Sequence, residues 1–499
     1  MRFDERRDAG QSFANIRVLI VGLAREGTAL ARFLAENGAR VTVTDSKPAE
    51  ALAENRAALA GLPVTFALGS HPLALLDGID IVFISPGVPL EIPLLVEAGQ
   101  RDLPLSSETR LFTRLCPAPI VGITGSNGKT TTTALVGSML EAAGWKTWVG
   151  GNFGFPLISH LDEIGSTDVV VMELSSFQLE FFGSWAELPL GHWDGVLFAA
   201  ESWSPPVSAV LNITPNHLDR HFSMDAYTAA KAHILNYQRP GDLAVMNLDD
   251  PITRDLAAGS ARAGQRILWF SLEQGAEEGA FLRGDDLVLR LAGREEVLCH
   301  TGDLKLLGRH NLANLLAASA LAIGTMVALQ GQAEPGSLPI EALRHVATSF
   351  EGVEHRLEFI RERQQVRWYN NSIATTPERT VAAMRSFDAP LILLAGGRDK
   401  HLPWDEMAAL AWRKARHLVL FGECAESIDR AMAETKAQDA SQQTVIHHAG
   451  TLPRAVNLAA ELAQPGDVVL LSPGGTSFDA FRDFVARGDH FRDLVRGLE

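Results

Sequence analysis

The sequence predicts an α/β protein of three successive domains, and three observations lead there. Short apolar runs rich in Val, Ile and Leu alternate along the chain with stretches of helical spacing, the pattern of parallel strands joined by helices. The chain has 499 residues, which at about 100–200 residues per domain implies about three. Hydrophobic residues make up 46% and charged residues 21%, so each domain has the material to bury a core.

The first domain begins with RVLIVG (17–22), continues through a helix from about Thr28 to Asn37 and returns in ARVTVTD (39–45). That strand, helix, strand order implies a parallel sheet. A further strand, DIVFISPG (80–87), ends in a Ser-Pro-Gly turn, and loops at the carboxyl ends of parallel strands are where ligands bind. A Rossmann-like N-terminal domain is therefore expected over 1–116. The middle region opens on PIVGITG and repeats the pattern in VVVMELSS (169–176), VSAVLNIT (207–214) and LAVMNLDD (243–250). It adds a β-meander around 266–300 and a helix at RHNLANLLAASALAIG (309–324). A loop holding Glu334, Pro335 and Gly336 precedes one more helix, and the region reads as a central P-loop ATPase-type domain over 117–352. The polar stretch EGVEHRLEFI (351–360) marks entry into the last domain, 353–499. There VRWYNNS, LILLAGG (391–397), HLVLFG (417–422) and DVVLLSPGG (467–475) predict a second Rossmann-like lobe.

Charge and cysteine usage exclude several function classes. Lys and Arg number 44 against 60 Asp and Glu, a net charge of −16, so a nucleic acid is a poor partner while a local basic site for a small phosphate ligand stays open. Cys116, Cys299 and Cys424 lie far apart without a CxxC pair, against both a disulfide framework and a cysteine zinc site. Cys299 and His300 sit beside an expected β-turn and read as structural. The charged start, MRFDERRDAG, has no apolar run behind it, and no stretch of 18 uncharged apolar residues occurs. A cytoplasmic protein without membrane insertion is expected.

The most informative stretch is PIVGITGSNGKTTTTALVGSMLEAAG. An apolar β run ends at Ile123, a turn carries Gly125 and Gly128, and Lys129 and Thr130 open a helix. Backbone amides in such a turn, with the positive end of the helix dipole, form a concave anion site. Lysine adds a mobile charge near the terminal phosphates, and the hydroxyl suits Mg²⁺. The strict GxxxxGK[ST] spacing is missed, because Ile123 stands where the first glycine would be. A nucleoside triphosphate site is expected here.

From this loop outward the chain resembles the Mur ligase family, ATP-dependent amino-acid ligases of peptidoglycan precursor synthesis. TGSNGKT is followed in the family's order by GGNFG (150–154), ELSSFQLE (173–180), LNITPNHLDRH (211–221), YTAAK (227–231), GRHNLANLLAA (308–318), EHRLE (354–358) and LSPGGTSFDAFRDFVARG (471–488). ELSSFQLE and the final SF…F…RG pattern are most similar to the members that add glutamate to UDP-N-acetylmuramoyl-L-alanine. The resemblance implies ATP, two Mg²⁺ ions, those two small-molecule substrates and a monomer.

It also implies roles for residues that are ambiguous by type alone. Glu173 ends an apolar β run, where an acid either faces a bound nucleotide as an oxygen ligand or is an exposed carboxylate. His217, which by itself reads as a loop histidine, becomes a magnesium-site residue paired with modified Lys231, while Thr130 and Glu173 take the other ion. Lys231, by composition a solvated lysine, takes CO₂ as a carbamate and supplies anionic oxygens, which requires a deprotonated, buried amine. Lys129, Glu173, His217 and Lys231 thus form the implied catalytic set. The implied ATP site takes Gly125, Ser126, Asn127, Gly128, Thr130 and Thr131 of the loop. It adds Asn311 and Asn314, three apart on one helix face, together with Arg356 and Asn371. The UDP substrate falls to Arg25, Glu26, Asp45, Lys47 and Ser85 of the first lobe, with Asn152 and Ser175. Glutamate falls to Thr376, Lys400, Ser477 and Phe481.

NNSIATTPERT (370–380) departs from the family stretch, which usually has aspartate where Asn371 stands and lysine where Ile373 stands. A related branch adds L-glutamate, and these residues leave both stereochemistries open. The insertion GSWAELPLGHWDGVLFAAESWSPP (183–206) has no family role. Two other classes compete: a nucleotide-hydrolysing switch protein, and an NAD-dependent oxidoreductase suggested by GLAREG (22–27) with Asp45. The latter is disfavoured because Ala24 replaces the middle glycine that lets a pyrophosphate approach.

Overall fold

The computed structural model describes residues 13–183, 202–306, 308–330, 338–399, 402–436 and 444–498. Lys400, the loop residues 334–336 and most of the 183–206 insertion lie outside the described residues. The chain divides into two compact units. One holds residues up to 304 with 310–349, and the other holds 305–309 with the chain from 350 onward.

The first unit contains two sheets. In the first, β1 (Arg17–Val21), β2 (Arg40–Asp45), β3 (Val64–Leu68), β4 (Ile81–Ile84) and β5 (Leu105–Ser106) lie in the order β3-β2-β1-β4-β5, all parallel. Val18 and Ile20 of β1 enter one apolar cluster and Leu19 and Val21 another, so the strand is buried on both faces. That two-sided burial is why it reads as an unbroken apolar run. The order reverses at β1, and the loops after β1, β2 and β4 meet at the carboxyl edge.

The second sheet has β6 (Ile120–Thr124), β7 (Thr147–Gly151), β8 (Val169–Glu173), β9 (Val207–Val210), β10 (Leu243–Asn247), β11 (Arg266–Ser271), β12 (Gly279–Arg283), β13 (Asp286–Leu291) and β14 (Arg294–His300). Their order is β14-β13-β12-β11-β10-β9-β6-β8-β7. β6 lies between β8 and β9, so the phosphate loop, Glu173 and the segment after Val210 all leave the sheet at one edge. The expected meander is corrected in part. β11 pairs parallel with both β10 and β12, and only β12, β13 and β14 are joined as antiparallel hairpins. Cys299 is buried within β14 rather than in a turn, while His300 follows at the strand end and caps a short turn. The helix Arg309–Gln330 extends beyond its expected end; by length and composition it could span a membrane, yet 72% of its most apolar window is buried inside the protein.

The second unit has one sheet of β15 (Glu358–Arg363), β16 (Val366–Asn370), β17 (Leu391–Gly396), β18 (Ala415–Phe421), β19 (Val445–Gly450) and β20 (Val468–Gly474), ordered β15-β16-β20-β17-β18-β19. All neighbours are parallel except the β15–β16 hairpin. The three α/β layers expected from the alternation are therefore present. β3, β5, β7 and β19 were not expected, being short or broken by polar residues.

The Arg487-Gly488 pair shows how this unit closes. The Arg487 side chain is fully buried and donates to Ser372 Oγ (3.0 Å), the Ser372 carbonyl (2.8 Å) and the Gly475 carbonyl (3.1 Å). At Gly488 an added Cβ would lie 2.2 Å from His355 Nδ1, so only glycine lets that helix pack on the imidazole. Gly488→Ala is expected to lower stability by about 1–3 kcal/mol through overpacking, read as a lowered urea midpoint. An unchanged midpoint would show that the imidazole yields without cost.

Candidate active site

The helix Lys129–Ala142 starts at Gly128, which has φ +85° and gives the helix no side-chain cap. The helices beginning after Ser107, Ser175, Ser223, Asp250 and Asp483 are each capped by that residue's side chain. The first amides of a helix have no acceptor within it, so a start without a side-chain cap, as here and after Ala24, Thr376, Trp404 and Thr451, leaves donors that water or an anion can meet. Glycine at 128 is required twice over. Left-handed backbone costs about 1–2 kcal/mol for other residues, and a Cβ there would lie 2.2 Å from Asn314 Oδ1.

The loop is fastened from the strand beside it. Asn127 N–H donates to Asn212 Oδ1 (2.8 Å), and Ser126 N–H to the Asn212 carbonyl (2.9 Å). The Ser126 hydroxyl meets the Thr214 carbonyl (2.9 Å) and the Tyr227 hydroxyl (3.0 Å). Asn212, Thr214 and Tyr227 lie inside motifs the sequence displayed, but nothing local marked them as fasteners. Lys129 Nζ folds back to donate to the carbonyls of Gly125 (2.8 Å) and Ser126 (3.1 Å). Thr131 is buried just inside the helix. Asn314 donates to Asn311 Oδ1 (3.1 Å), both are buried, and the pair therefore backs onto the loop at Gly128.

Beside the loop, Thr130 Oγ1 donates to Glu173 Oε2 (2.7 Å) and Asn152 Nδ2 to Glu173 Oε1 (2.7 Å). Asn152, expected on the UDP substrate, thus rests on the carboxylate. Lys231 is 1% exposed and donates to the Gly125 carbonyl (2.9 Å) and Thr124 Oγ1 (3.2 Å). Burial, aided by repulsion from Lys129 and only partly offset by Glu173, holds its amine well below the ordinary lysine range. His217 is exposed, with φ +53°, and its ring meets Phe177 edge-on at 5.1 Å. Among the described residues no group of three or more His, Cys, Asp or Glu could hold a metal by themselves. The oxygen donors of Thr130 and Glu173 still fit Mg²⁺, which usually binds one or two carboxylates and takes its other ligands from phosphate and water.

The first lobe supplies a second cluster. Asp45 accepts from the amides of Leu23 (2.8 Å) and Lys47 (2.9 Å), and Ser85 Oγ donates to the Gly22 carbonyl (3.0 Å), so three strand ends are tied together. Lys47 itself is exposed. Arg25 reaches over to the carbonyls of Asn152 (3.1 Å) and Gly154. Gln178 Nε2 donates to Glu26 Oε1 (3.0 Å) and Thr109 Oγ1 (3.1 Å), while its carbonyl oxygen accepts from Ser175, which caps the short helix after Glu173. Glu26 Oε2 is buried without a hydrogen-bond partner, and Glu108 is buried nearby. Burial raises both acids, and for Glu108 the charge of Glu26 adds to the rise. Between the lobe and the central sheet lies a cavity of about 300 Å³, lined by Pro86, Gly87, Pro89, Glu91, Phe177, Arg220 and Phe222.

The second unit carries the remaining expected residues. Asn371 Nδ2 donates to Ser472 Oγ (3.0 Å), and its Oδ1 accepts from the Leu357 amide (3.3 Å). Arg356 follows His355, whose Nδ1 is 3.1 Å from Asn370 Nδ2. Thr376 stands at the start of the helix Pro377–Met384 without capping it. Ser477 is buried, and its carbonyl accepts from the Phe481 amide (2.8 Å).

Comparison with known proteins gives consistent matches. Residues 16–107 match a model of the Mur ligase MurD-like N-terminal domain, 123–322 the Mur ligase middle domain, and 355–475 the Mur ligase glutamate ligase domain. The UDP-N-acetylmuramoylalanine--D-glutamate ligase of Symbiobacterium thermophilum is 41% identical over 484 residues, 97% of this chain and 98% of that protein. The protein of the same name from Acetivibrio thermocellus is 38% identical over 99% of this chain and 98% of its own. In fold, the chain resembles the UDP-N-acetylmuramate-alanine ligase of Thermotoga maritima, with TM-score 0.56, 17% identity and coverage of 97% and 99%. A MurF structure from Acinetobacter baumannii gives TM-score 0.55 at 17% identity, covering 96% and 94%.

The raised acids make stability depend on pH with a definite sign. Native Glu108 keeps its proton up to about 8, whereas the unfolded chain releases it in the ordinary carboxylate range near 4.5. Between those values the native state binds more protons, so stability falls as pH rises through the window. Glu108→Gln, which mimics the protonated acid, is expected to raise Tm above the unsubstituted protein at pH 8.5, with the gap shrinking towards pH 5. A gap independent of pH would mean that Glu108 is ionised in the native state.

Proposed function

The chain belongs to the Mur ligase family, ATP-dependent enzymes that form amide bonds and use Mg²⁺, and from that premise we propose that it joins D-glutamate to UDP-N-acetylmuramoyl-L-alanine in peptidoglycan precursor synthesis. The observation that carries the reading is the uncapped helix start at Gly128 with the Thr130–Glu173 pair at its flank. Such a site grips a triphosphate and leaves its terminal group open to an acceptor.

A carboxylate is a poor acceptor for an amine, because its charge repels the nucleophile and oxide cannot leave. Activation removes the difficulty. The L-alanyl carboxylate attacks the γ-phosphorus, forming the acyl phosphate and releasing ADP. The glutamate amine then attacks the carbonyl, loses a proton and expels inorganic phosphate. In this reading the amides at the helix start after Gly128 hold the phosphates, and Lys129 leaves the Gly125 and Ser126 carbonyls to follow the transferred charge. Thr130 and Glu173 would hold one Mg²⁺, and His217 with carbamylated Lys231 a second; bound ions neutralise charge between the phosphates. The depressed Lys231 amine supports the modification: neutral nitrogen adds to CO₂, forming an N–C bond and releasing a proton. Asn311, Asn314, Arg356 and Asn371 complete the proposed nucleotide site. Arg25, Glu26, Asp45, Lys47, Ser85, Asn152 and Ser175 serve the UDP substrate. Burial that raises Glu26 to about 7 weakens the like charge it presents to a diphosphate. Thr376, Lys400, Ser477 and Phe481 take glutamate. Domains over 1–116, 117–352 and 353–499, a monomeric state and a cytoplasmic location belong to the same reading.

The deciding assay is ADP release with ATP, Mg²⁺ and UDP-N-acetylmuramoyl-L-alanine, run separately with D- and L-glutamate. Release and amide formation that require D-glutamate are expected. Dependence on L-glutamate would assign the other branch, and release indifferent to both would favour a nucleotide-hydrolysing switch. Lys129→Ala is expected to lose at least about 100-fold in turnover with its circular dichroism unchanged; near-normal turnover would remove the loop from the chemistry.

A further inference from the structure

The geometry points to His221 as a positioning residue that holds the His217 turn against the segment carrying Glu173. The inference rests on the reading of His217 and Glu173 as the metal-side groups and names what sets their spacing. His217 is exposed and its backbone is left-handed, and its carbonyl accepts the amides of Arg220 (3.1 Å) and His221 (3.0 Å). The helix that follows, Leu218–His221, is a single turn, too short to fix its own conformation. An αL residue of this kind persists only where its surroundings over-determine it.

One imidazole supplies part of those surroundings. His221 is 6% exposed. Its Nε2 lies 2.9 Å from Ser176 Oγ, three residues after Glu173, and its Nδ1 lies 3.3 Å from Glu180 Oε1. The ring stacks on Phe177 at 5.4 Å and 15°, and Phe177 in turn meets the His217 ring edge-on. Arg220 repeats the docking from its neighbouring position, 3.4 Å from Glu180 Oε2 and 5.6 Å over the Phe177 ring. Imidazole suits the place because it presents a nitrogen at each side of a flat, stackable ring. Phenylalanine would keep the stack and lose both polar ends, so the two contributions are separable by substitution.

His221→Phe is the test, read in three ways: the Mg²⁺ concentration for half-maximal ADP release, Mn²⁺ binding by electron paramagnetic resonance with a non-hydrolysable ATP analogue, and Tm. The expected result is a folded protein whose Mg²⁺ requirement rises about 10–100-fold, the usual cost of losing a partner behind a metal ligand. Turnover should return at high Mg²⁺, and Mn²⁺ affinity should fall in parallel. A folded variant with reduced turnover but unchanged Mg²⁺ and Mn²⁺ affinities would overturn the proposal, as would one identical to the unsubstituted protein. If His221→Phe does not fold, Ser176→Ala removes only the Nε2 partner, and unchanged metal affinities there would also overturn it. Mn²⁺ binding needs no glutamate, so failure of the ligase reading would appear separately, as absent amide synthesis by the unsubstituted enzyme.

Discussion

The central domain is organised around one backbone constraint: the helix start at Gly128 must face a ligand while the chain before it is fixed, with the Ser126 and Asn127 amides bonded to Asn212. A loop of this kind cannot fasten itself, because its own polar groups are what it has to offer. The fastening therefore comes from outside, from Asn212, Thr214 and Tyr227, while Asn314 backs onto the turn at Gly128. At about 0.5–1.5 kcal/mol each, these bonds hold the turn, and glycine at 128 takes its left-handed backbone without the penalty another residue would meet. The same constraint explains the sheet order. Placing β6 between β8 and β9 brings Glu173 and the 211–217 segment to the edge where the loop emerges.

Buried ionisable groups are kept affordable in two ways. Some are shifted towards neutrality by burial: Lys231 downward, Glu26 and Glu108 upward. Each then needs hydrogen bonds rather than a counter-ion, and each obtains at least one. Arg487 follows the other course. Burial lowers it only to about 10, so it stays charged at neutral pH and is satisfied by two carbonyls and a hydroxyl instead of a carboxylate. Its charge thereby locks the segment at Ser372 to the loop at Gly475 within the second unit.

What the sequence revealed was whatever is encoded locally. The β6 strand, the glycine turn and the helix from Lys129 appear as an apolar run, two glycines and a helical spacing in consecutive residues, so their existence and their chemistry were both readable. Thr130 and Glu173, 43 residues apart, were also placed together, because each sits at the end of a recognisable strand unit. Hidden were features that depend on tertiary approach. Gln178 joins Glu26 across 152 residues, and Arg487 joins Ser372 across 115, with no periodicity to announce either. The link from Asn152 to Glu173 was hidden for the same reason: its motif fixes the turn, but that contact is decided by how β7 lies against β8. The edge strand β19 escaped because it is half-exposed and interrupted by His447 and His448.

The departure at Asn371 follows the same logic. A carboxylate at this buried position would accept from the Leu357 amide and from the Ser472 hydroxyl, and would need a cation to balance it. The carboxamide accepts from Leu357 with one end and donates to Ser472 with the other, so it is satisfied without one. Ile373, standing where an ammonium would otherwise be, no longer has a charge to answer, and its backbone is held by the His355 carbonyl. At 371 this chain thus carries a neutral two-ended link. Amide side chains make that same link at Asn212, Gln178 and Asn370. A carboxamide joins two loops at lower desolvation cost than a charge. The loss of charge at 371 and 373 thus alters how this corner is held together while leaving the central site's own charges in place.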